Sequence, residues 1–204
     1  IHAQAGALLS MIANRAMEAE LTGFEFAAGI PGTLGGACVM NAGAYGGEMK
    51  DVLETVTVLT RDGDVKTLTK DELELGYRTS VIAKKDYIAL SAVIRLENGK
   101  KEEIKAVMDD LKEKRITKQP LEYPSAGSTF KRPEGYFAAK LIEDAGLKGC
   151  ARGGAQVSEK HAGFVVNKGD ATAKDVCELT DYIKSEVMEK FGVGLELEVV
   201  KVGF

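Results

Sequence analysis

The sequence predicts an α+β protein, or a mixed α/β one, built on antiparallel pairing. Three observations predict it. Helical and strand periodicities are interspersed along the chain, a strand–turn–strand signature surrounds Asp62-Gly63, and the second half repeats the mixture without any sequence repeat or low-complexity tract. With 204 residues, 45% hydrophobic and 28% charged, the chain has the balance of an ordinary globular protein and room for one large domain or two small ones. A net charge of −4 argues against a broad nucleic-acid face, while leaving space for a local basic pocket that takes a small anion. No apolar run approaches the roughly 18 residues a membrane span needs. Cys38, Cys150 and Cys177 are far apart, and His2 and His161 are the only histidines. No disulfide framework and no metal site are expected, each thiol reads as a small buried hydrophobe, and the cysteine usage suits a reducing cytoplasmic setting. Nothing in the sequence calls for more than a monomer.

Taken in order, residues 3–20 read as a helix, because Leu8, Leu9, Ile12, Ala16 and Met17 fall on one face. A glycine-rich stretch occupies residues 29–47. Residues 52–60 and 65–68 read as strands joined at Asp62-Gly63. Thr69 and Glu72 have capping-box spacing for a short helix over 71–75. Residues 87–96 alternate, with Ile88, Leu90, Ala92, Ile94 and Leu96 on one face, and Asn98-Gly99 closes that strand. Residues 102–114 form a charged amphipathic helix with Ile104, Val107, Met108 and Leu111 as its stripe. Gln119-Pro120 and Tyr123-Pro124 stop it, which places a domain boundary near Pro120. Beyond it, residues 136–145 read as a helix that Gly146 terminates, and residues 163–167 as a short strand. Thr172 and Asp175 open a long helix with Val176, Leu179, Ile183 and Val187 on its core face and Gly192 as its stop. Residues 195–202 read as a final strand.

The densest signal is Gly29-Ile30-Pro31-Gly32-Thr33-Leu34-Gly35-Gly36-Ala37, closing with Asn41-Ala42-Gly43-Ala44-Tyr45-Gly46-Gly47. It holds seven glycines: 29, 32, 35, 36, 43, 46 and 47. Glycine lets a backbone approach a ligand closely, and successive N–H groups can cradle a pyrophosphate. The spacing is neither a Walker loop nor a Gly-x-Gly-x-x-Gly fingerprint. A tight crossover between closely packed segments accounts for it equally well.

Residues 23–48, followed by Leu75-Gly76-Tyr77-Arg78-Thr79-Ser80, resemble the UDP-N-acetylenolpyruvoylglucosamine reductase family, flavoenzymes also known as UDP-N-acetylmuramate dehydrogenases. Ser125-Ala126-Gly127-Ser128-Thr129-Phe130-Lys131-Arg132-Pro133 is similar to the family's proton-donor loop. Ala145-Gly146-Leu147-Lys148-Gly149, Gly153-Gly154-Ala155-Gln156-Val157-Ser158 and Leu195-Glu196-Leu197-Glu198-Val199 resemble its later motifs, in order and over nearly the whole chain. Residues 123–130 follow directly on the preceding helix, which resembles the shorter-loop type of the family.

The resemblance implies a partial FAD-binding domain of the PCMH type, an antiparallel-rich sheet with helices, over residues 1–119. A smaller α+β substrate-binding domain over 120–204 follows, its final strand carrying Glu198. The chain starts at Ile1 rather than Met. The resemblance implies that an N-terminal part of the flavin site is missing, so the chain alone is expected to bind FAD weakly or not at all and to be inactive. FAD contacts are implied for Gly29, Ile30, Pro31, Gly32, Thr33, Gly35, Gly36, Asn41, Gly43, Ala44 and Tyr45, and substrate contacts for Tyr77, Lys131 and Gln156.

On their spacing alone, Ser128 reads as a turn former, Arg78 as a solvated arginine and Glu198 as an outward-facing strand residue with Glu196 on the same face. The resemblance assigns all three to catalysis. Ser128 protonates the substrate carbon. Arg78 stabilises an enolate at the substrate carboxylate, a role for which a planar, always charged guanidinium is suited. Glu198 assists beside it. Arg132 stands where relatives often have asparagine, Ser158 is a further substrate-side residue, and His161 carries no role. The implied reaction is reduction by NADPH, through FAD, of the enolpyruvyl ether of UDP-N-acetylglucosamine to UDP-N-acetylmuramate, a step of peptidoglycan and cell-wall synthesis tied to cell shape and division. The implied partner is a small nucleotide sugar, not nucleic acid or membrane. Two other readings stay open: another FAD oxidoreductase of the same architecture, and a catalytically silent nucleotide-sugar-binding fragment.

Overall fold

The structure, a computed structural model, describes residues 1–203. The chain divides into two compact units, Ile1–Arg115 and a second from Ile116 onward, each with its own apolar core.

The first unit opens as a strand, not a helix. β1 (His2–Gln4) pairs antiparallel with residues 91–93, and α1 (Leu9–Glu18) starts only afterwards. The helical stripe holds for Leu9, Ile12 and Ala16, which are buried, but Leu8 is the exposed, extended residue before the helix. An open strand edge at 91–93 supplies backbone partners that outweigh local helical periodicity. β2 (Leu21–Thr22) and a 3₁₀ turn (Glu25–Ala27) follow. α2 (Leu34–Met40) sits inside the glycine-rich stretch, which is therefore not one continuous loop. β3 (Gly43–Ala44) and β4 (Gly47–Glu48) form a small hairpin, and α3 (Met49–Val52) is one turn capped reciprocally by Glu48 and Asp51. β5 (Leu53–Leu59) and β6 (Val65–Thr69) are the expected hairpin.

The helix expected over 71–75 does not form. Glu72 accepts from the Thr69 N–H and hydroxyl at 2.8 Å each, but the segment is a single turn that ends at Glu74 in the left-handed region. One turn fixes many dihedrals for little hydrogen bonding, so a cap alone does not sustain a helix. α4 (Val81–Lys84) forms instead, with the Ser80 hydroxyl as its cap. β7 (Ile88–Ile94) carries an extra residue at Leu90, between Ser91 opposite Thr57 and Ala89 opposite Val58. That bulge breaks the expected single face. Ala92 and Ile94 face the core as predicted, but Tyr87 and Ala89 pack on it beyond the bulge and Ile88 is exposed. The sheet order is β1-β7-β5-β6, antiparallel throughout. β8 (Glu97–Asn98) pairs with β2, and α5 (Lys101–Lys118) runs a turn longer than its expected stripe. Of that stripe Ile104 is buried, Met108 and Leu111 are half-buried and Val107 is exposed.

The second unit holds β9 (Ser125–Ser128), α6 (Ala138–Asp144), β10 (Ala151–Arg152), β11 (Ala155–Val157), β12 (Phe164–Asn167) and α7 (Ala173–Phe191). Its sheet has the order β10-β11-β12-β9, again antiparallel. α6 ends where Gly146 takes a left-handed φ of 78°; its N–H donates to the Glu143 carbonyl, and the Leu147 N–H to that of Ile142. α7 shows the predicted capping box, with Thr172 Oγ1 accepting from the Asp175 N–H at 3.1 Å and Asp175 from the Thr172 N–H at 2.9 Å. Leu179, Ile183 and Val187 are buried, as the stripe requires. The final strand over 195–202 is not a strand. Its only pairing is a bridge between Phe130 and Leu197, flanked by bonds from the Lys131 N–H to the Glu196 carbonyl (2.8 Å) and from the Glu198 N–H to the Thr129 carbonyl (2.9 Å). Beyond it Val200 and Val202 are exposed. Alternation makes a strand only where a neighbour extends the ladder. Among the described residues no helix is long and apolar enough to cross a membrane, and no group of three or more His, Cys, Asp or Glu could hold a metal.

Candidate functional site

The first unit sorts the glycines of residues 29–47 into two kinds. At Gly35 a Cβ would lie 2.8 Å from the Ala5 Cβ, at Gly43 2.6 Å from both Glu48 Cγ and the Gly47 carbonyl, and at Gly47 2.7 Å from the Phe26 ring. These three are packing glycines. At Gly32 and Gly46 a Cβ meets nothing within 4 Å, and at Gly36 only Thr33 Oγ1 at 3.9 Å. Those three are exposed, as are Gly29 and Pro31. Both readings of the stretch therefore hold, at different residues. Thr33 bridges to Leu8, and the N–H groups of Leu34 and Gly35 donate to the Ala7 and Ala5 carbonyls at 2.9 and 2.8 Å. Ile30 is half-buried beside the core.

A cavity of about 350 Å³ adjoins this stretch, lined among others by Phe26, Gly29, Tyr45, Lys112 and Arg115. The Arg115 guanidinium lies 5.8 Å from the Tyr45 ring centroid, and its Nε stands 2.8 Å from where a Cβ of Gly29 would be. Sequence reasoning missed Lys112 and Arg115. In a charged helix they look like solvated residues, and only the fold brings them to the glycines.

Arg78 stands at the tip of a two-residue hairpin. Gly76 and Thr79 exchange backbone bonds of 3.1 and 3.3 Å, and Arg78 is left-handed at φ 55°, a conformation that costs a non-glycine residue about 1 kcal/mol. Its guanidinium carbon lies 5.1 Å from the Tyr77 ring centroid, and Tyr77 is exposed. Asn41 is buried and left-handed at the end of α2. Its Nδ2 donates to the Gly76 carbonyl (3.0 Å) and to Glu48 Oε2 (2.9 Å), and its Oδ1 accepts from the Lys50 N–H (2.8 Å). Lys50 Nζ reaches Glu48 at 2.9 Å, and that contact, by hydrogen bond and charge, holds the ammonium pKa above its ordinary value. Burial pushes the Cys38 thiol, within α2, up to about 12.

The second unit brings Ser128, Lys131 and Glu198 together. Ser128 is the exposed last residue of β9, and its neighbour Thr129 accepts the Glu198 N–H. Thr129 is buried, with its hydroxyl accepting from the Val165 N–H at 2.9 Å, which fixes the backbone on which Ser128 rides. Lys131 pairs with Glu196, so the two glutamates divide: Glu196 is exposed and engaged by Lys131, and Glu198 is half-buried. The Arg132 guanidinium lies over the exposed Phe137 ring, 4.7 Å from its centroid.

Gln156 lies in a cavity of about 230 Å³ with Tyr123, Ser158, Glu159, Lys160 and Lys168. Its Nε2 donates to the Gly149 carbonyl at 3.0 Å, and Lys168 Nζ sits 3.8 Å from the Tyr123 ring centroid. Ser158 is buried and accepts from the Lys160 and His161 N–H groups at 3.2 Å each. Tyr123, Lys160 and Lys168 were not singled out from sequence; Tyr123-Pro124 was legible only as a helix stop. His161 accepts from the Gly163 N–H, and burial holds its pKa below the ordinary imidazole value.

The first unit is of the FAD-binding class: residues 1–69 match a family described as "FAD binding domain". Residues 119–202 match "UDP-N-acetylenolpyruvoylglucosamine reductase, C-terminal domain". A relative named UDP-N-acetylenolpyruvoylglucosamine reductase from Agathobacter rectalis is 62% identical over 203 residues, covering 100% of this chain and 65% of the relative. One of the same name from Caldanaerobacter subterraneus subsp. tengcongensis is 60% identical, covering 100% and 67%. The crystal structure of UDP-N-acetylenolpyruvylglucosamine reductase from Thermus caldophilus superposes with a TM-score of 0.85 at 39% identity, covering 98% of this chain and 73% of that one. The chain belongs to the UDP-N-acetylenolpyruvoylglucosamine reductase family, and spans about two thirds of the length of the relatives it matches.

The residues present fit a flavin cofactor in one specific way. The exposed edge at Gly32, Gly36 and Gly46 has no protein atom where side chains would stand, which admits close approach of a flat or extended group. The Leu34 and Gly35 N–H groups are already used within the protein, so the fit comes from access rather than from those donors.

Proposed function

We propose that this chain serves, within the full-length protein, in the reaction its relatives are named for: reduction of UDP-N-acetylglucosamine enolpyruvate, with NADPH as reductant and FAD as cofactor, to UDP-N-acetylmuramate. The observation that carries this reading is the match of the whole chain to relatives so named. Residues 1–119 serve as the flavin-binding domain and residues 120–204 as the substrate domain. A bound flavin would supply the hydride for this reduction. Arg78, stacked near Tyr77, offers paired N–H donors to the substrate carboxylate and stabilises the enolate as the electron pair moves onto it. Glu198, half-buried beside the Ser128 loop, hydrogen-bonds the same enolic group. Ser128 Oγ gives its proton to the carbon that bears the carboxylate, and the serine oxygen is reprotonated from solvent. A hydroxyl is a weak acid, and it serves here because the carbon it protonates is strongly basic.

The exposed edge at Gly29, Pro31, Gly32, Gly36 and Tyr45, with Ile30, Thr33 and Ala44 beside it, holds the cofactor, while Gly35 and Gly43 serve it through close packing behind that edge and Asn41 through its hydrogen bonds within the protein. Tyr77, Lys131 and Gln156 contact substrate, Gln156 from the cavity it shares with Tyr123 and Lys168. With that activity we read the protein as a cytoplasmic monomer serving cell-wall precursor synthesis, and through it cell shape and division.

The test is NADPH oxidation by the flavin-loaded full-length protein with the enolpyruvyl nucleotide sugar. The expected product is heavier by two hydrogens and, in heavy water, carries deuterium at the carbon next to the carboxylate. Ser128→Ala is expected to lower turnover by about a hundredfold or more. Full activity in that variant would remove Ser128 as proton donor, and absence of any substrate-dependent oxidation would remove the reading itself.

A further inference from the structure

We infer that Asn41 is a positioning residue for Arg78: with Ser80 it pins the 76–79 hairpin to the C-terminal end of α2, so that the Arg78 guanidinium is held in one place. The inference rests on the role proposed for Arg78 and deepens it.

Two backbone bonds, between Gly76 and Thr79, close the hairpin, and its tip residue is a left-handed arginine. A non-glycine residue keeps that conformation only where the surroundings over-determine it. The surroundings here include two ties, one at each end of the hairpin and both to α2. On the entering side, the Asn41 amide donates to the Gly76 carbonyl at 3.0 Å. On the leaving side, the Ser80 hydroxyl donates to the Val39 carbonyl at 2.6 Å and accepts the Ala83 N–H as the cap of α4. Both Asn41 and Ser80 are buried, at 1% and 0% exposure, so water does not compete for these bonds.

The Asn41 side chain is not needed to end the helix. The Ala42 N–H bonds back to the Ala37 carbonyl through the backbone alone, and glycine takes a left-handed φ more readily. What the side chain adds is a three-way clamp: the Lys50 N–H on its Oδ1, Glu48 and Gly76 on its Nδ2. Asparagine tolerates the left-handed region and presents both a donor pair and an acceptor on a short stem. Aspartate has the same shape and no donors, so it would face the Gly76 carbonyl and Glu48 with like partial and full charge.

The variants Asn41→Asp and Ser80→Ala test this, in the flavin-loaded protein with the enolpyruvyl nucleotide sugar and NADPH. Two readouts are taken: hydrogen exchange of the peptide spanning 74–80 without ligands, and flavin absorbance followed separately for reduction by NADPH and for reoxidation by substrate. Faster exchange at 76–79 is expected in both variants. Reoxidation by substrate is expected to slow by about a hundredfold in Asn41→Asp, as a misplaced catalytic group does. Flavin reduction is expected to stay within about twofold, since the clamp acts on the substrate-side group. Added to Arg78→Ala, Asn41→Asp is expected to slow reoxidation by no more than about a further twofold, because residues acting as one unit are not additive. A loss of both half-reactions together, or of neither, overturns the inference, and Ser80→Ala carries the test should Asn41→Asp not fold. If Arg78→Ala reoxidises at the wild-type rate, the role of Arg78 fails and the inference falls with it. If Arg78→Ala slows reoxidation and neither anchor variant does, the inference alone fails.

Discussion

Gly35 and Gly36 are consecutive residues of one short helix, and they are expected to respond to alanine in opposite ways. In a helix interior alanine is about 1 kcal/mol better than glycine. At Gly36 the added Cβ meets only Thr33 Oγ1, at 3.9 Å, so that gain is kept. The ligand-free protein should melt roughly 4 °C higher. At Gly35 the Cβ would stand 2.8 Å from the Ala5 Cβ and 3.3 Å from the Ala5 carbonyl oxygen, which also receives the Gly35 N–H at 2.8 Å. The contact is with backbone and a stub side chain that cannot swing away. Overpacking of this kind costs about 1–3 kcal/mol, which outweighs the propensity gain and lowers the melting point.

Function should run the other way at Gly36. If the exposed edge is where the flavin approaches, a methyl group at Gly36 stands in its path. FAD affinity, read from flavin fluorescence, should weaken by about tenfold or more, a free-energy loss of about 1.4 kcal/mol. A Gly36→Ala protein that is more stable and binds FAD like wild type would sink the assignment of this edge to the cofactor. A Gly35→Ala protein more stable than wild type would sink the packing argument.

Thr172→Ala should destabilise the second unit by about 1 kcal/mol through loss of the α7 cap, measured by urea unfolding. Asp175 carries the pH dependence of that cap: the Thr172 backbone N–H, then its hydroxyl, hold the carboxylate below its ordinary pKa. With the folded pKa below the unfolded one, its stabilisation is complete above about pH 4 and is lost as pH falls through the folded value. Asp175→Asn should flatten that acid limb, and an unchanged acid unfolding curve would refute the assignment. Cys38, buried and with its pKa pushed up to about 12, should resist alkylation at mild alkaline pH in the native protein while the half-buried Cys150 and Cys177 react; labelling of Cys38 at their rate would refute its burial.

The parts of this chain legible in its sequence are those whose causes lie within a few residues of one another. α7 is the clearest case: Thr172 and Asp175 cap each other, the stripe at 179, 183 and 187 needs only helical spacing, and Gly192 ends it. The misread parts have causes far along the chain. Residues 2–4 become a strand because β7 presents an edge some ninety residues later. The even face of β7 is broken by a bulge at Leu90 that only its register with β5 reveals. Residues 195–202 alternate correctly and stay outside any strand because a single bridge, to Phe130, is the neighbour they find. The same rule governs the candidate site. Glycine spacing between 29 and 47 could not separate ligand approach from packing, since the answer at Gly35 lies with Ala5 and at Gly47 with Phe26. Ser128, Arg78 and Glu198 were visible only through resemblance, because each is an ordinary loop or strand residue until its surroundings are specified. Asn41 shows why resemblance has the same limit. It marks a residue as belonging to the site, but the work of the side chain is set by Gly76, Glu48 and Lys50, and only their hydrogen bonds separate a group that meets the cofactor from one that holds the group that meets the substrate.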